Sequence, residues 1–337
     1  MSWLEQKVLA YEQMRFDQEQ NRNVLPFEWG LEHIGGRANE SDPRAWLDRF
    51  IENTRADSDK WFATDPASDY SLDDGVLTFT SAIKSPWPAN NRVFAQVFPA
   101  RRRGPAVVVL AQWNSRWEEQ QNVCRWLNKL GITAVKISLP YHDRRAIPGH
   151  PRADHLVSAN VGLTLQANRQ AVLDVRRTLR WLEQQGYDRL GLLGTSIGSC
   201  LAFLTLAHEP ALRAAAFLHV STYFGDVVAA GLTTSNVWQA LHQDFSLEEV
   251  RHFWSPISPY PYIPRLAGTR KKVLAISGRY DPTFPNELTR ELLAEMKRKG
   301  VPHENLSLPC GHYSMGVVPF SYAVGYRFGT FLFQALA

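Results

Sequence analysis

Residues 189–199 read Arg-Leu-Gly-Leu-Leu-Gly-Thr-Ser-Ile-Gly-Ser, a run that few architectures can accommodate. Leu190 to Leu193 is a short buried-strand candidate. Cys200, Leu201, Ala202, Phe203, Leu204, Leu206 and Ala207 continue as an apolar helix ending near His208-Glu209-Pro210. Between them, Gly194-Thr195-Ser196-Ile197-Gly198 must turn the strand sharply into the helix. The flanking glycines leave room for that turn and for neighbouring chain, and the central Ser196 is held in strained backbone geometry at the helix N-terminus. There the Ile197 N–H and the positive end of the helix dipole are positioned to stabilise a developing oxyanion.

From residue 75 the chain alternates short apolar runs with helical segments. Strands are expected at Val76 to Ala82, Arg92 to Val97, Ala106 to Ala111, Thr133 to Ser138, Leu190 to Leu193, Ala215 to Val220, Lys272 to Ser277 and Glu304 to Leu308. Helices are expected at Trp117 to Leu130, Leu163 to Gln185, Ser196 to His208, Asn286 to Lys299 and Tyr322 to Leu336. Eight strands, the first two paired as a hairpin-like start and the rest alternating with helices, argue for a mostly parallel α/β sheet. Ala106 to Leu110 and Val273 to Ile276 are continuous apolar runs, as strands buried on both faces should be. Residues 222–266 interrupt this rhythm: they are too long for a simple connection and carry two helical patterns, Asn236 to Leu241 and Leu247 to Trp254.

Residues 1–68 have a different character, rich in Glu, Gln, Arg, Asp and Asn with scattered large apolar residues. Two or more helices are expected there, one capped by Ser41-Asp42-Pro43 and running through Phe50-Ile51. Trp3, Trp29, Trp46 and Trp61 imply that this extension packs on something, either the main body or a second copy of the chain in a homodimer. The expected division is thus a helical extension over 1–68 and a domain over 69–337 with an insertion over 222–266.

The 337 residues, 45% of them hydrophobic and 21% charged, supply ample core for one large domain with appendages. The net charge of +4 is spread along the chain, and the basic runs Arg101-Arg102-Arg103 and Arg270-Lys271-Lys272 sit just before strands, which favours solvated loops over nucleic-acid contact. Cys124, Cys200 and Cys310 are widely spaced and fall into no ligand pattern, which points to a reducing compartment and no structural zinc. The first residues carry charges where a signal peptide needs an apolar core, and no run of about eighteen apolar residues occurs. A soluble, cytoplasmic chain without an integral membrane segment is expected.

A serine becomes a useful nucleophile when a base takes its proton, and the base must be held in the right tautomer by an acid. In a doubly wound sheet both partners belong on loops after late strands, at the carboxyl edge. The strand Lys272 to Ser277 is followed by Gly278-Arg279-Tyr280-Asp281-Pro282, which makes Asp281 the acid candidate, with Asp226 as its rival. The strand Glu304 to Leu308 is followed by Pro309-Cys310-Gly311-His312-Tyr313, which makes His312 the base. His219 lies inside an expected strand and reads as a satisfied core residue. Cys200 and Cys310 read as small buried hydrophobes. Tyr141 and His142, in the loop after the fourth strand, are candidate substrate contacts. Trp238 and Trp254, with the other aromatics of the insertion, either line a lid over an apolar pocket or pack the insertion itself.

The three motifs around Ser196, Asp281 and His312, in that chain order, resemble the α/β-hydrolase superfamily over about residues 75–337. The resemblance implies a serine esterase with an α/β-hydrolase fold, a helical lid and no metal or organic cofactor. In it Ser196 attacks, His312 shuttles the proton and Asp281 orients the imidazole. The second oxyanion donor would come from the loop after the third strand. The family's usual His-Gly is replaced there by Gln112-Trp113-Asn114, so Trp113 or Asn114 is expected to supply the N–H. A small-molecule ester is the expected substrate. A peptidase or acyltransferase on the same triad, or a binding protein that keeps the fold without the chemistry, are the alternatives.

Overall fold

The computed structural model of the chain describes residues 2–19, 21–150 and 152–337; Met1, Gln20 and Pro151 lie outside them. Nine strands form one sheet: β1 (Ser71–Asp73), β2 (Val76–Thr80), β3 (Arg92–Phe98), β4 (Ala106–Leu110), β5 (Thr133–Ile137), β6 (Leu190–Thr195), β7 (Leu212–Leu218), β8 (Lys272–Gly278) and β9 (His303–Leu308). Their order is β1-β2-β3-β5-β4-β6-β7-β8-β9. The first three run antiparallel to their neighbours, and β5 through β9 pair in parallel. All eight expected strands are present. The ninth, β1, is a short exposed edge strand whose turn, Asp74-Gly75, has φ of 44° and 71°. That Asp-Gly pair is the hairpin signal the alternation pattern passes over.

The side chains of β4 show why the runs are apolar on both sides. Ala106, Val108 and Leu110 enter one core and Val107 and Val109 the other, all fully buried. Helices follow in chain order as α1 (Trp3–Asp17), α2 (Pro43–Ala56), α3 (Ser58–Trp61), α4 (Gln121–Lys129), α5 (Val161–Gln184), α6 (Ile197–His208), α7 (Phe224–Ala230), α8 (Ser235–Leu241), α9 (Leu247–Phe253), α10 (Asn286–Arg298) and α11 (Phe320–Ala335). α5, α6 and α10 cover the first core, and α4 and α11 the second. α4 starts later than its apolar pattern suggests, because Gln120 stands at φ 60° and breaks the helical path. α2 begins as its residues dictate, with the Asp42 side chain accepting from Ala45 N and Pro43 in the first turn.

The N-terminal segment docks on its own chain. Phe27 and Trp29 interlock edge to face with Phe245 and Phe253 of the insertion, at centroid distances of 4.8 to 5.7 Å. The Glu28 backbone forms a bridge beside Asn160, accepting from Val161 N and donating to Ala159 O. Asp48 meets His252 at 3.0 Å, and Arg44 pairs with Glu249. The insertion contains α7 in addition to the two helices expected there. Of the basic runs, Arg101 to Arg103 are exposed. Lys271 turns inward instead, its Nζ donating to Leu206 O and Glu209 O at the end of α6. No helix among the described residues is long and apolar enough to cross a membrane.

Candidate active site

β6 delivers Ser196 to the carboxyl edge of the sheet, and α6 starts at the next residue. Ser196 has φ 57° and ψ −124°, a conformation a side chain adopts only when its surroundings impose it. Three contacts impose it here: Ser196 N donates to Leu218 O at 2.8 Å, and Ser199 Oγ bridges Gly194 O and Leu218 O at 2.8 and 2.7 Å. A Cβ on Gly194 would run into the Gly198 backbone, and one on Gly198 into the Leu110 and Ala111 carbonyls. The two glycines therefore let α6 begin directly against the loop after β4, which brings Trp113 beside Ser196. Ser196 Oγ itself has no hydrogen bond among the described residues and is free to turn.

The loop after β8 holds Asp281 with its side chain fully buried. Oδ1 accepts from Thr283 N and Phe284 N, both at 2.8 Å, and this turn aims Oδ2 at His312 Nδ1, 3.1 Å away. The Asx turn and the contact to His312 are thus two faces of one carboxylate. Burial pushes Asp281 toward its neutral form, but the charge and hydrogen bond of His312, with His219 close by, outweigh it and hold the carboxyl well below the usual range. Burial alone would lower His312. The Asp281 charge and hydrogen bond overcome that, and the imidazole is raised above its ordinary 6.5. With Nδ1 as the donor to Oδ2, Nε2 keeps the basic lone pair. His312 also stacks on Phe284, ring planes 9° apart and centroids 5.5 Å apart, and Phe284 lines the same cavity as Ser196.

His219 is the residue that sequence reasoning missed. β7 ends at Leu218, so His219 is a loop residue at φ 63° and not a core strand position. Its Nδ1 comes within 2.6 Å of Asp281 Oδ2, out of line for a good hydrogen bond, and its ring lies 4.3 Å from that of His312. Burial, and then the neighbouring His312, lower its basicity. Nothing in the local sequence announces this; the position immediately after a β7 strand that ends earlier than its apolar pattern is the only hint. His219, Asp281 and His312 are also the only group of potential metal-ligating side chains among the described residues, with donor atoms within 4.8 Å of one another. Asp226, the rival acid, is taken up by a bidentate pair with Arg251 at 2.8 and 3.1 Å.

The expected oxyanion donors separate. Asn114 N donates to His142 Nε2 at 2.8 Å and is not available, while the N–H groups of Ile197 and Trp113 have no acceptor among the described residues. Ile197 and Trp113 both line the Ser196 cavity. His142, expected as a substrate contact, does not line this cavity. It is 2% exposed, its Nδ1 bonds the Pro140 carbonyl at 2.8 Å, and burial lowers it to about 4, so it is a neutral brace between two loops. Tyr141 is buried against Trp87 and His155, away from the cavity. Trp254 is fully buried one layer behind Phe224, and Trp238 packs on His242. Neither lines the cavity: Trp254 packs into the main core, its Nε1 donating to Val161 O at 3.4 Å, and Trp238 is half-buried beside the exposed His242. The wall is supplied instead by Phe224, Val227, Val228, Thr233 and Thr234, facing Val157, Ile197 and Cys200. Cys200 and Cys310 are buried thiols pushed up to about 12 by desolvation.

Residues 162–316, which include Ser196, Asp281 and His312, match the model of the prolyl oligopeptidase family. No curated protein matches the sequence. Among solved structures, an acetyl xylan esterase from Paenibacillus sp. R4 superposes with a TM-score of 0.60 at 15% identity, covering 91% of this chain and 99% of that one. An esterase of Pyrococcus furiosus gives 0.55 at 17% identity over 80% and 92% of the two chains. A puromycin-hydrolysing peptidase of Mycobacterium tuberculosis gives 0.59 at 16% identity over 77% of this chain, which spans only 40% of that protein's length. At these identities the likeness is one of fold.

Proposed function

We propose that the chain is a serine hydrolase of the α/β-hydrolase superfamily, opening a carboxylic ester through an acyl-enzyme on Ser196; the family match over residues 162–316 and the fold shared with solved esterases support this reading. The observation that carries this reading is Asp281, whose one oxygen is anchored by two backbone N–H groups while the other meets His312. In the reaction His312 Nε2 removes the Ser196 proton as Oγ attacks the acyl carbon. The carbonyl electron pair moves onto oxygen, where the Ile197 and Trp113 N–H groups receive it. The tetrahedral intermediate collapses, the C–O bond to the alcohol breaks, and His312 returns its proton to the leaving oxygen. A water activated by the same imidazole then releases the acid and restores Ser196.

The cavity at Ser196 measures about 490 Å³ including its part open to solvent, and its lining is apolar apart from hydroxyls, with no charged side chain. That suits an uncharged, apolar or aromatic acyl group, with the segment 224–234 of the insertion acting as the lid wall. The prolyl oligopeptidase match favours a second reading, hydrolysis of an amide by the same triad. Fluorophosphonate labelling tests the chemistry: wild type should label and Ser196→Ala should not, with a loss in kcat on the order of 10³-fold or more. An intact wild-type protein that stays unlabelled rejects the serine-hydrolase reading. A series of p-nitrophenyl esters of rising acyl length beside matched anilides tests the bond; anilides turned over faster than esters would select the peptidase.

A further inference from the structure

The loop that carries His312 is held from outside the hydrolase core, by the first helix of the chain. Glu12 of α1 is fully buried, although its helix is mostly exposed. Its two carboxylate oxygens accept from the two backbone N–H groups that follow His312: Oε2 from Tyr313 N at 2.8 Å and Oε1 from Ser314 N at 2.9 Å. A buried carboxylate is costly unless both oxygens are occupied, and here charge-assisted bonds occupy both. Gly311 lies against the same group. A Cβ there would approach the Glu12 carboxyl to 2.5 Å, which explains the glycine of Cys310-Gly311-His312 without any demand for positive φ. The helix is fastened around this point as well, for Arg15 lies over the Tyr313 ring at 5.3 Å and the Tyr313 hydroxyl reaches Glu19 and Arg22 at 3.4 Å.

We propose that Glu12 is a positioning residue for the general base, clasping the turn after His312 so that the imidazole stays in line between Asp281 and Ser196. The inference rests on the serine-hydrolase reading. A packing helix would explain burial but not a carboxylate whose whole bonding capacity faces the two residues after the base. The groups facing His312 are Asp281 from the loop after β8, His219 from the end of β7, and Glu12 and Glu19 from α1. The Glu12 charge adds to that of Asp281 in raising the imidazole.

The test compares Glu12→Gln with wild type and with Gln13→Ala, an exposed neighbour on the same helix, in the full-length chain. Glu12→Gln is expected to lower kcat for a p-nitrophenyl ester about tenfold with KM within about twofold. It should also move the acid limb of kcat/KM to lower pH and accelerate amide exchange at Tyr313 and Ser314; Gln13→Ala should change none of these. Glu12→Asp keeps the charge but cannot span both amides, so it should lose kcat while the acid limb stays. An acid limb and amide exchange that remain at wild-type values in Glu12→Gln overturn the proposal, whatever happens to the rate. Amide exchange is read without turnover, so a wild-type chain that neither labels nor hydrolyses, yet shows the exchange change, rejects the proposed chemistry and keeps the clasp.

Discussion

Asp281 performs two tasks with one carboxylate, and they can be separated by substitution. Asp281→Asn keeps an oxygen for Thr283 N and Phe284 N, so the turn and most of the stability should survive. It presents an amide to His312 Nδ1 and favours the wrong tautomer, so kcat should fall on the order of 10³- to 10⁴-fold. Asp281→Ala removes the turn anchors too, and should cost about 2 kcal/mol in chemical unfolding on top of the same kinetic loss. Two variants equal in stability would refute the anchoring role. The proposed base titrates with a definite sign. In the proposed mechanism His312 must be neutral to accept the serine proton, and its folded value is raised, so kcat/KM should fall as pH drops through a value above 6.5.

At the scale of elements, the site is an encounter of four strand ends, each positioned by its neighbour. β6 and α6 set Ser196, and the loop after β4 crosses them at Gly198 and contributes Trp113. That loop is braced by the loop after β5: His142 accepts from Asn114 N through Nε2 and bonds Pro140 O through Nδ1. His142→Phe keeps an aromatic ring at this position and deletes both bonds. It is expected to reduce kcat about tenfold with little change in KM, because the proposed oxyanion donor moves while the apolar cavity stays; steady-state kinetics on the ester series would read this. A rise in KM at constant kcat would instead mark His142 as a substrate contact. Much of this scale is legible in the chain. Buried parallel strands produce unbroken apolar runs, and the elbow is a local backbone event written by adjacent residues. The ends of elements are less legible: β7 stops before its apolar pattern does, and that difference turns His219 from a core residue into a neighbour of Asp281.

The whole molecule is an α/β body strapped by its N-terminal segment. α1 holds the His312 turn, the stretch through Phe27 and Trp29 locks into α9, and α2 and α3 pair with the insertion through Asp48, Arg44 and Asp59. Its pH stability should follow from its buried histidines. Desolvation lowers His142, His155 and His208 to about 4, so the folded protein keeps them neutral where the unfolded chain, near 6.5, would protonate. Between those values the unfolded state binds more protons, and stability must rise with pH. The expected result is a melting temperature that climbs from pH 4 to about 6.5 and then levels with respect to these groups. A flat profile over that window would show that the three imidazoles are protonated in the fold.

The sequence by itself determined the outline on which the proposed chemistry rests: a strand-turn-helix serine, an acid and a histidine on the loops after the last two strands, and alternating elements that make a layered sheet. These are local patterns, in which a residue's neighbours in the chain are also its neighbours in space. Tertiary structure alone decided that the Asn114 N–H is taken by His142 while that of Trp113 remains free, which side chains wall the cavity, and that His219 lies against Asp281. It also decided that Glu12, 301 positions from Tyr313, closes on the base loop. Such contacts depend on where separate elements pack, and neither periodicity nor spacing carries the register between a helix at one end of the chain and a loop at the other.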